Sequence, residues 1–208
     1  MELKELIAIL IADVVEAKSR LQKEDTQTAR RELIRAQFAA IEGLVWLARQ
    51  HIAGVAREMD KLTEDEASAL SEQSISIGQD GKITIQRKFI PTAAAIRFLA
   101  RLARRICQEP VLELSDAGWS KLSNATQIRN RITHPKRLSD MEIEERDLAD
   151  SEVAFAWCFE SLIVTMERVT LAFRDEVEGI GEVLRLLNEN DPTAWAHYQA
   201  AMTDDLDR

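Results

Sequence analysis

Cysteine, glycine and proline are scarce in this sequence. The 208 residues include two cysteines, seven glycines and four prolines. Cys107 and Cys158 lie in apolar helical patterns, where a thiol behaves as a small hydrophobic side chain, so we expect neither a disulfide nor a metal site from them. With so few helix-breaking residues, apolar side chains recur every three or four positions along most of the chain. The sequence therefore predicts a mostly helical protein.

Long apolar runs are missing as well. The N-terminal stretch MELKELIAILIADVV places four charged residues among its apolar positions, so it matches neither a signal peptide nor a membrane-spanning helix. Hydrophobic residues make up 46% of the chain and charged residues 30%, which is typical of a folded globular protein. We expect a cytoplasmic protein without a membrane partner. We also expect a single domain over residues 1–208, with a core at about 25–178 and a C-terminal helical appendage at 179–208.

Apolar periodicity predicts the fold class. One stripe alternates steps of four and three residues from Ile34 to Met59, and a second runs from Phe155 to Phe173, as in antiparallel bundles and in helix pairing between chains. Between residues 74 and 86 the period changes to two around the turn sequence GQDG, which indicates a hairpin. The prediction is an all-α, multi-helix bundle with one small two-stranded β-hairpin. The last long helix is expected to close at Gly179 and Gly181.

Charge is distributed unevenly along the chain. The net charge of −9 argues against binding of polyanions over the whole surface. Residues 81–139, however, hold twelve basic and three acidic residues, whereas the rest of the chain holds 15 basic and 33 acidic ones. This separation predicts one positive surface on a negative body, although a solvated helix face could give part of it.

Within the basic segment, the stretch TQIRNRITHPKRL at residues 126–138 contains no acidic residue. Because a residue before proline avoids the helical region, the helix that carries Arg129 and Asn130 should end one or two residues before His134. The chain can then fold the imidazole back toward Arg129. On a continuous helix, residues five apart would lie about 140° round the axis and would not meet.

A guanidinium, an amide and an imidazole at one helix end can act together on a phosphodiester. Arg129 can bind two phosphate oxygens at once and stabilise the charge that develops on them. His134 can accept the proton of an RNA 2′-hydroxyl or donate a proton to the leaving 5′-oxygen, and this chemistry needs no metal or other cofactor. The spacing from Arg to His arises readily by chance, and Asn130 directly after the arginine is what makes the pattern specific.

The sequence RNRITHP, preceded by an inward-facing helix and followed by a long amphipathic one, resembles the RNxxxH signature of the HEPN superfamily. These all-helical proteins are common in prokaryotic toxin–antitoxin and phage-defence systems. The upstream sequence KITIQRKFIPTAAAIRFLARLA also looks like bacterial proteins of that group. The resemblance covers roughly residues 75–173.

In active HEPN members the Arg and the His act as a metal-independent endoribonuclease, and homodimers bring two motifs into one cleft. The resemblance therefore implies Arg129, Asn130 and His134 as catalytic residues. It also implies RNA as substrate, a homodimer, and an antitoxin protein as partner if the chain is a toxin. Lys136 stands where some members have a tyrosine, which puts control by nucleotidylation of that tyrosine in doubt.

Seven further basic residues are candidate contacts to the RNA backbone, although each could be only solubilising charge. They are Lys121, Arg131, Lys136, Arg137, Arg97, Arg101 and Arg104.

Simpler interpretations remain for the same residues. His134 could end the helix and only cap carbonyl groups. Arg129 could pair with an acid, for which Glu142 and Glu144 are candidates, and the pair would then occupy the guanidinium. The cleft could belong to a non-catalytic dimer that binds RNA or protein, or the chain could be a purely structural dimerisation module.

Overall fold

The structure is a computed structural model that describes residues 2–206, with the side chains of all of these except residues 2–4, 75 and 204–206. Within this range the chain forms seven α-helices, one short 3-10 helix and two strands. In chain order they are α1 (Glu2–Lys23), α2 (Gln27–Glu58), α3 (Glu64–Leu70), β1 (Gln73–Ile77), β2 (Ile83–Arg87), α4 (Thr92–Cys107), α5 (Ala117–Thr133), the 3-10 helix (Leu138–Met141), α6 (Glu145–Asn188) and α7 (Pro192–Leu206). The predicted all-α class with one small β-hairpin is confirmed. None of the helices described is long and apolar enough to cross a bilayer.

Contacts within the chain divide it between Val169 and Thr170 into two compact units. The first unit holds α1 to α5, the hairpin and the first part of α6, and the second holds the rest of α6 with α7. The predicted start of the appendage, residue 179, lies inside α6. α1 precedes the predicted core start at residue 25, and its Val14 and Ala17 are buried in a cluster with α2.

α2 is the central helix of the first unit. α1, α4 and α5 all pack against it. Its apolar stripe is buried as the sequence predicted, with Ile34, Ile41 and Ile52 completely inaccessible to solvent. Burying one such side chain stabilises the fold by about 1.5–3 kcal/mol. The stripe therefore fixes the rotation of α2, and with it the direction of every other side chain on the helix.

α5 approaches α6 closely at Gly118. The carboxylate of Asp116 caps α5 by accepting a hydrogen bond from the backbone N–H of Trp119 (2.8 Å). The same carboxylate accepts a hydrogen bond from Nε1 of Trp157 on α6 (2.6 Å). A Cβ atom at Gly118 would lie 2.3 Å from the Trp157 ring, so this contact requires glycine.

The hairpin pairs β1 and β2 in antiparallel register, with Gln73 opposite Arg87 and Ile77 opposite Ile83. Gly81 lies in the turn with φ of 78°, a conformation that favours glycine. At the base of the hairpin, the carboxylate of Glu72 pairs with the buried guanidinium of Arg49 on α2 (2.7 Å). This ion pair attaches the hairpin to the central helix.

The prediction that Gly179 and Gly181 close the last long helix is wrong, because α6 continues through both to Asn188. A glycine inside a helix costs only about 0.5–1 kcal/mol relative to alanine. Beyond the glycines, Arg185 forms ion pairs with Glu182 and Glu189, both at 2.7 Å, which favour the helical conformation. The left-handed residue that follows the helix is Asn190, with φ of 58°.

Replacing Gly118 by alanine should lower the free energy of unfolding by about 1–3 kcal/mol, because the added methyl group must displace the Trp157 ring. Urea unfolding followed by circular dichroism measures this change. The matched control is Gly54→Ala on α2, where a Cβ meets no atom within 4 Å. That variant should be unchanged or more stable by up to about 1 kcal/mol. Equal stability of the two variants would contradict the close packing of α5 on α6.

Candidate functional site

α5 ends at Thr133, within the region predicted from Pro135. The backbone N–H of His134 donates to the carbonyl of Asn130 (3.0 Å), and the hydroxyl of Thr133 donates to the carbonyl of Arg129 (2.7 Å). His134 then leaves the helix with φ of −125° and ψ of 60°. Pro135 has no N–H with which to continue the helical ladder.

Arg35, on α2, also caps the end of α5. Its Nη2 donates to the carbonyl of Ile132 (3.2 Å), one of the carbonyls that a helix end leaves unpaired. The His134 imidazole is exposed and takes no part in this capping, and it forms no hydrogen bond within the described residues. The imidazole therefore remains available to a ligand.

Arg129 and His134 line one open cleft of about 460 Å³ between α2 and the end of α5. The cleft is lined by Arg35, Phe38, Ala39, Glu42, Arg129, Thr133 and His134. Arg129 and His134 lie five positions apart in the chain, and the end of the helix brings both side chains to one concave surface.

The guanidinium of Arg129 is held from two directions. Its Nη2 donates to the Glu42 carboxylate on α2, and its Nη1 donates to Oδ1 of Asn130 (3.1 Å). The guanidinium carbon also lies 5.8 Å from the centre of the Phe38 ring, within range of a cation–π contact. An arginine has five N–H donors, so these contacts leave about three for a ligand. The ion pair considered from the sequence is present, but its acid is Glu42 rather than Glu142 or Glu144.

The segment after Pro135 is tied to α2 and to itself. The Gln27 side chain exchanges two hydrogen bonds with the backbone of Ile143, at 3.1 and 2.7 Å. The Asp140 carboxylate accepts from the backbone N–H groups of Lys136 and Arg137, and these hydrogen bonds lower the pKa of Asp140. The segment that follows His134 is therefore held in place by hydrogen bonds. The backbone position of His134 does not depend on contacts of the imidazole.

Two of the candidate RNA contacts, Lys121 and Arg131, lie on another face of α5. Lys121 donates to the buried carboxylate of Asp150 (2.5 Å), and Arg131 pairs with Asp147 (2.7 Å), both on α6. The ammonium of Lys121 lowers the pKa of Asp150. Both cations thus attach α6 to α5.

The remaining candidates for RNA contact keep their charges free. Arg97 stacks over Trp119 at 4.9 Å and Arg101 over Phe98 at 5.9 Å, which orients both guanidinium groups at the surface of α4. Arg104, Lys136 and Arg137 are exposed, and none of the five forms an ion pair with a residue that the structure describes.

The positive segment is partly neutralised in the folded protein. Five of its twelve basic residues pair with acids from outside the segment, as Arg105 does with Glu66 (2.8 Å). The Arg105 guanidinium lowers the pKa of Glu66 to about 2. The positive surface is therefore smaller than the sequence indicated, because four of the five counter-charges come from residues far away in the chain.

The sequence did not identify Arg35, Phe38 and Glu42 as residues of the site, although their side chains line the cleft. All come from α2, and their spacing of three and four residues places them along one side of that helix. Phe38 belongs to the buried stripe, and Arg35 and Glu42 border it. This periodicity was visible in the sequence. What it could not show is that α5, rather than solvent, lies beside that side of α2.

No group of three or more His, Cys, Asp or Glu side chains in the described part of the chain is arranged to hold a metal ion. The two cysteines are free, and burial raises the pKa of the Cys158 thiol to about 12, so that thiol stays protonated. Comparison of the chain with known protein families, with curated proteins and with solved structures found no match.

Replacing Lys121 by methionine should lower the free energy of unfolding at pH 7 by about 1–2 kcal/mol, since it leaves the buried Asp150 carboxylate without its cation. The lowered pKa of Asp150 contributes stability above the ordinary carboxyl pKa of about 3.9, and this stability is lost as the pH falls through the folded-state value. The difference from the wild type should therefore shrink below about pH 4. Denaturant unfolding at pH 7 and pH 3 measures both effects.

Lys136→Met is the control for this change, because Lys136 is exposed and forms no ion pair with the described residues. It should alter stability by no more than about 0.5 kcal/mol at either pH. A Lys121 variant as stable as this control would contradict the structural role assigned to Lys121.

Proposed function

We propose that the protein is a HEPN-type, metal-independent endoribonuclease. The observation that carries the proposal is the shared cleft of Arg129 and His134, at the helix end that Pro135 enforces. The imidazole is free, the guanidinium retains donors, and the cleft is open to a polymer. The RNxxxH resemblance supplies the reaction class.

In the proposed reaction, the 2′-oxygen of a ribose forms a bond to the adjacent phosphorus while the bond to the 5′-oxygen breaks. The products are a 2′,3′-cyclic phosphate and a free 5′-hydroxyl. His134 accepts the proton of the 2′-hydroxyl or protonates the leaving 5′-oxygen, depending on its ionisation. Arg129 binds the non-bridging oxygens and stabilises the charge that develops on them.

Asn130 and Glu42 act in this scheme by holding the guanidinium. Catalysis by fixed donors requires that they are oriented before the substrate arrives. The amide of Asn130 and the carboxylate of Glu42 contact different nitrogens of Arg129, so the guanidinium plane is set by two contacts rather than one. Arg97, Arg101, Arg104, Lys136 and Arg137 are the basic residues that remain for the RNA backbone.

A second function is a non-catalytic dimer that uses the same cleft to bind RNA or a protein. The ion pair of Arg129 with Glu42 favours the binding of a protein rather than of RNA in this cleft, because the carboxylate neutralises the cation that would otherwise meet a phosphate. The two functions predict different effects of a substitution at His134. Cleavage of RNA requires the imidazole, whereas a non-catalytic dimer cleaves no RNA with or without it.

The biological setting that we propose follows from the resemblance. The protein would act in the cytoplasm as a homodimer, as the toxin of a toxin–antitoxin or phage-defence module, and an antitoxin protein would restrain it. Cleavage of cellular RNA is the activity that such a partner would suppress.

Purified protein should cleave single-stranded RNA in the presence of EDTA and leave 2′,3′-cyclic phosphate ends. His134→Ala should lower the rate by a factor of about 10²–10⁴, as is typical for the loss of a general acid or base. Arg129→Ala should lower it by a factor of about 10²–10³. DNA of the same sequence should remain intact, since it lacks the nucleophile. Gel electrophoresis and end-group analysis of the products measure these outcomes.

His197→Ala is the matched control, since this imidazole lies on α7, outside the cleft. It should cleave RNA at the wild-type rate. Equal cleavage by the His134 and His197 variants would exclude the proposed mechanism. RNA binding without cleavage, lost in Arg129→Ala, would establish the non-catalytic function instead.

A further inference from the structure

The hairpin of β1 and β2 is exposed throughout its described side chains. Ile77, Ile83 and Ile85 are 75%, 67% and 60% accessible to solvent. A two-stranded hairpin is only marginally stable in water, and at least three strands or a packed helix are needed for a stable sheet. The ion pair of Glu72 with Arg49 attaches its base, but the strands themselves have no cover.

The outer edge of β1 carries unpaired backbone groups. The N–H of Gly78 donates to the carbonyl of Lys82, and the N–H of Lys88 donates to the carbonyl of Glu72. Both bonds join residues that lie directly opposite each other when the register of β1 and β2 is extended by one residue at each end. Hydrogen-bonded and non-hydrogen-bonded pairs alternate along an antiparallel ladder. Residues 74 and 76 therefore bond to β2, whereas residues 73, 75 and 77 direct their N–H and C=O groups away from it.

The two edges of the hairpin differ in charge. β1 has the sequence QSISI, without a charged residue or a proline. β2 contains Arg87 and is flanked by Lys88 and by Lys82. Lys82 pairs with Asp80 in the turn (3.1 Å), but both side chains are exposed, so this pair offsets its charge only weakly. Charged side chains on an edge strand, lysine above all, oppose pairing with another sheet. The β2 edge is thus protected and the β1 edge is not.

We propose that a second copy of this chain pairs with the β1 edge, antiparallel about a twofold axis at residue 75. Residue 73 of each copy then lies opposite residue 77 of the other, and residue 75 lies opposite its own counterpart. All three outward-facing residues of each strand find partners in this register, which gives about six hydrogen bonds between the copies. Two marginal hairpins become one four-stranded sheet.

The charges of the hairpin favour pairing of β1 with β1 over pairing of β2 with β2. In the four-stranded sheet the two β2 strands are outermost, three strand spacings or about 14 Å apart. This exceeds the Debye length of about 8 Å at physiological salt, so their basic residues repel only weakly. Antiparallel pairing of β2 with β2 about residue 85 would instead place Lys82 of each copy opposite Lys88 of the other.

The dimer through the β1 edges does not depend on the RNA cleavage proposed above.

Ile75→Pro and Ile85→Pro form a matched pair of variants for this assembly. Residues 75 and 85 are cross-strand partners whose N–H groups both face outward, a position where an edge strand tolerates proline. Ile75→Pro should raise the dimer dissociation constant by about tenfold or more, because it removes a donor at the centre of the interface. Ile85→Pro should leave it within about threefold of the wild type. Sedimentation equilibrium of the full chain measures both values.

Cysteine variants at the same two positions test the register independently of any effect on folding. Under mild oxidation, Ile75→Cys should form a covalent dimer, whereas Ile85→Cys should not, because a disulfide requires Cα atoms within about 7 Å. A wild-type monomer at all concentrations would overturn the proposal. Equal dissociation of the two proline variants, or cross-linking through residue 85, would place any dimer contact elsewhere and would overturn it as well.

Discussion

The buried stripe of α2 is the constraint on which the rest of the first unit depends. α1, α4 and α5 pack on this helix, and several of its apolar side chains have no solvent contact. A turn of one residue, or 100°, would expose the whole stripe at a cost of about 1.5–3 kcal/mol for each side chain. The same rotation places Phe38 and Glu42 beside the end of α5. The geometry of the candidate site is therefore a consequence of core packing and needs no separate stabilisation.

Ion pairs decide which basic residues can serve a ligand. Lys121 and Arg131 contact acids on α6, and Asp150 is buried, so removing Lys121 leaves a carboxylate with little access to water. Arg97 and Arg101 instead stack on aromatic rings at the surface, where the guanidinium N–H groups remain free. A count of charges along the sequence treats these two groups alike. The first group joins α5 to α6, whereas the second keeps its guanidinium N–H groups free for a ligand.

Local signals in the sequence predicted the elements that depend on neighbouring residues. The end of α5 before His134 and the turn that contains Gly81 are both set by residues within a few positions. The partner of Arg129 could not be predicted in this way, since Glu42 lies 87 residues away in the chain. The end of α6 was misplaced for a different reason. Two glycines weaken a helix, but they do not end it when Arg185 pairs with acids on both sides.

The ion pair of Glu42 with Arg129 sets the electrostatic state of the cleft before a ligand arrives. Both side chains are partly exposed, at 37% and 28%, and pairs of this kind contribute only about 0.2–1 kcal/mol. An anionic ligand can therefore share or displace the carboxylate without a large loss of stability. While the pair persists, Arg129 and Glu42 cancel, and Arg35 is the cation that gives the cleft its positive charge. The pair thus orients the guanidinium at small energetic cost, and it lowers the attraction of the cleft for polyanions in general.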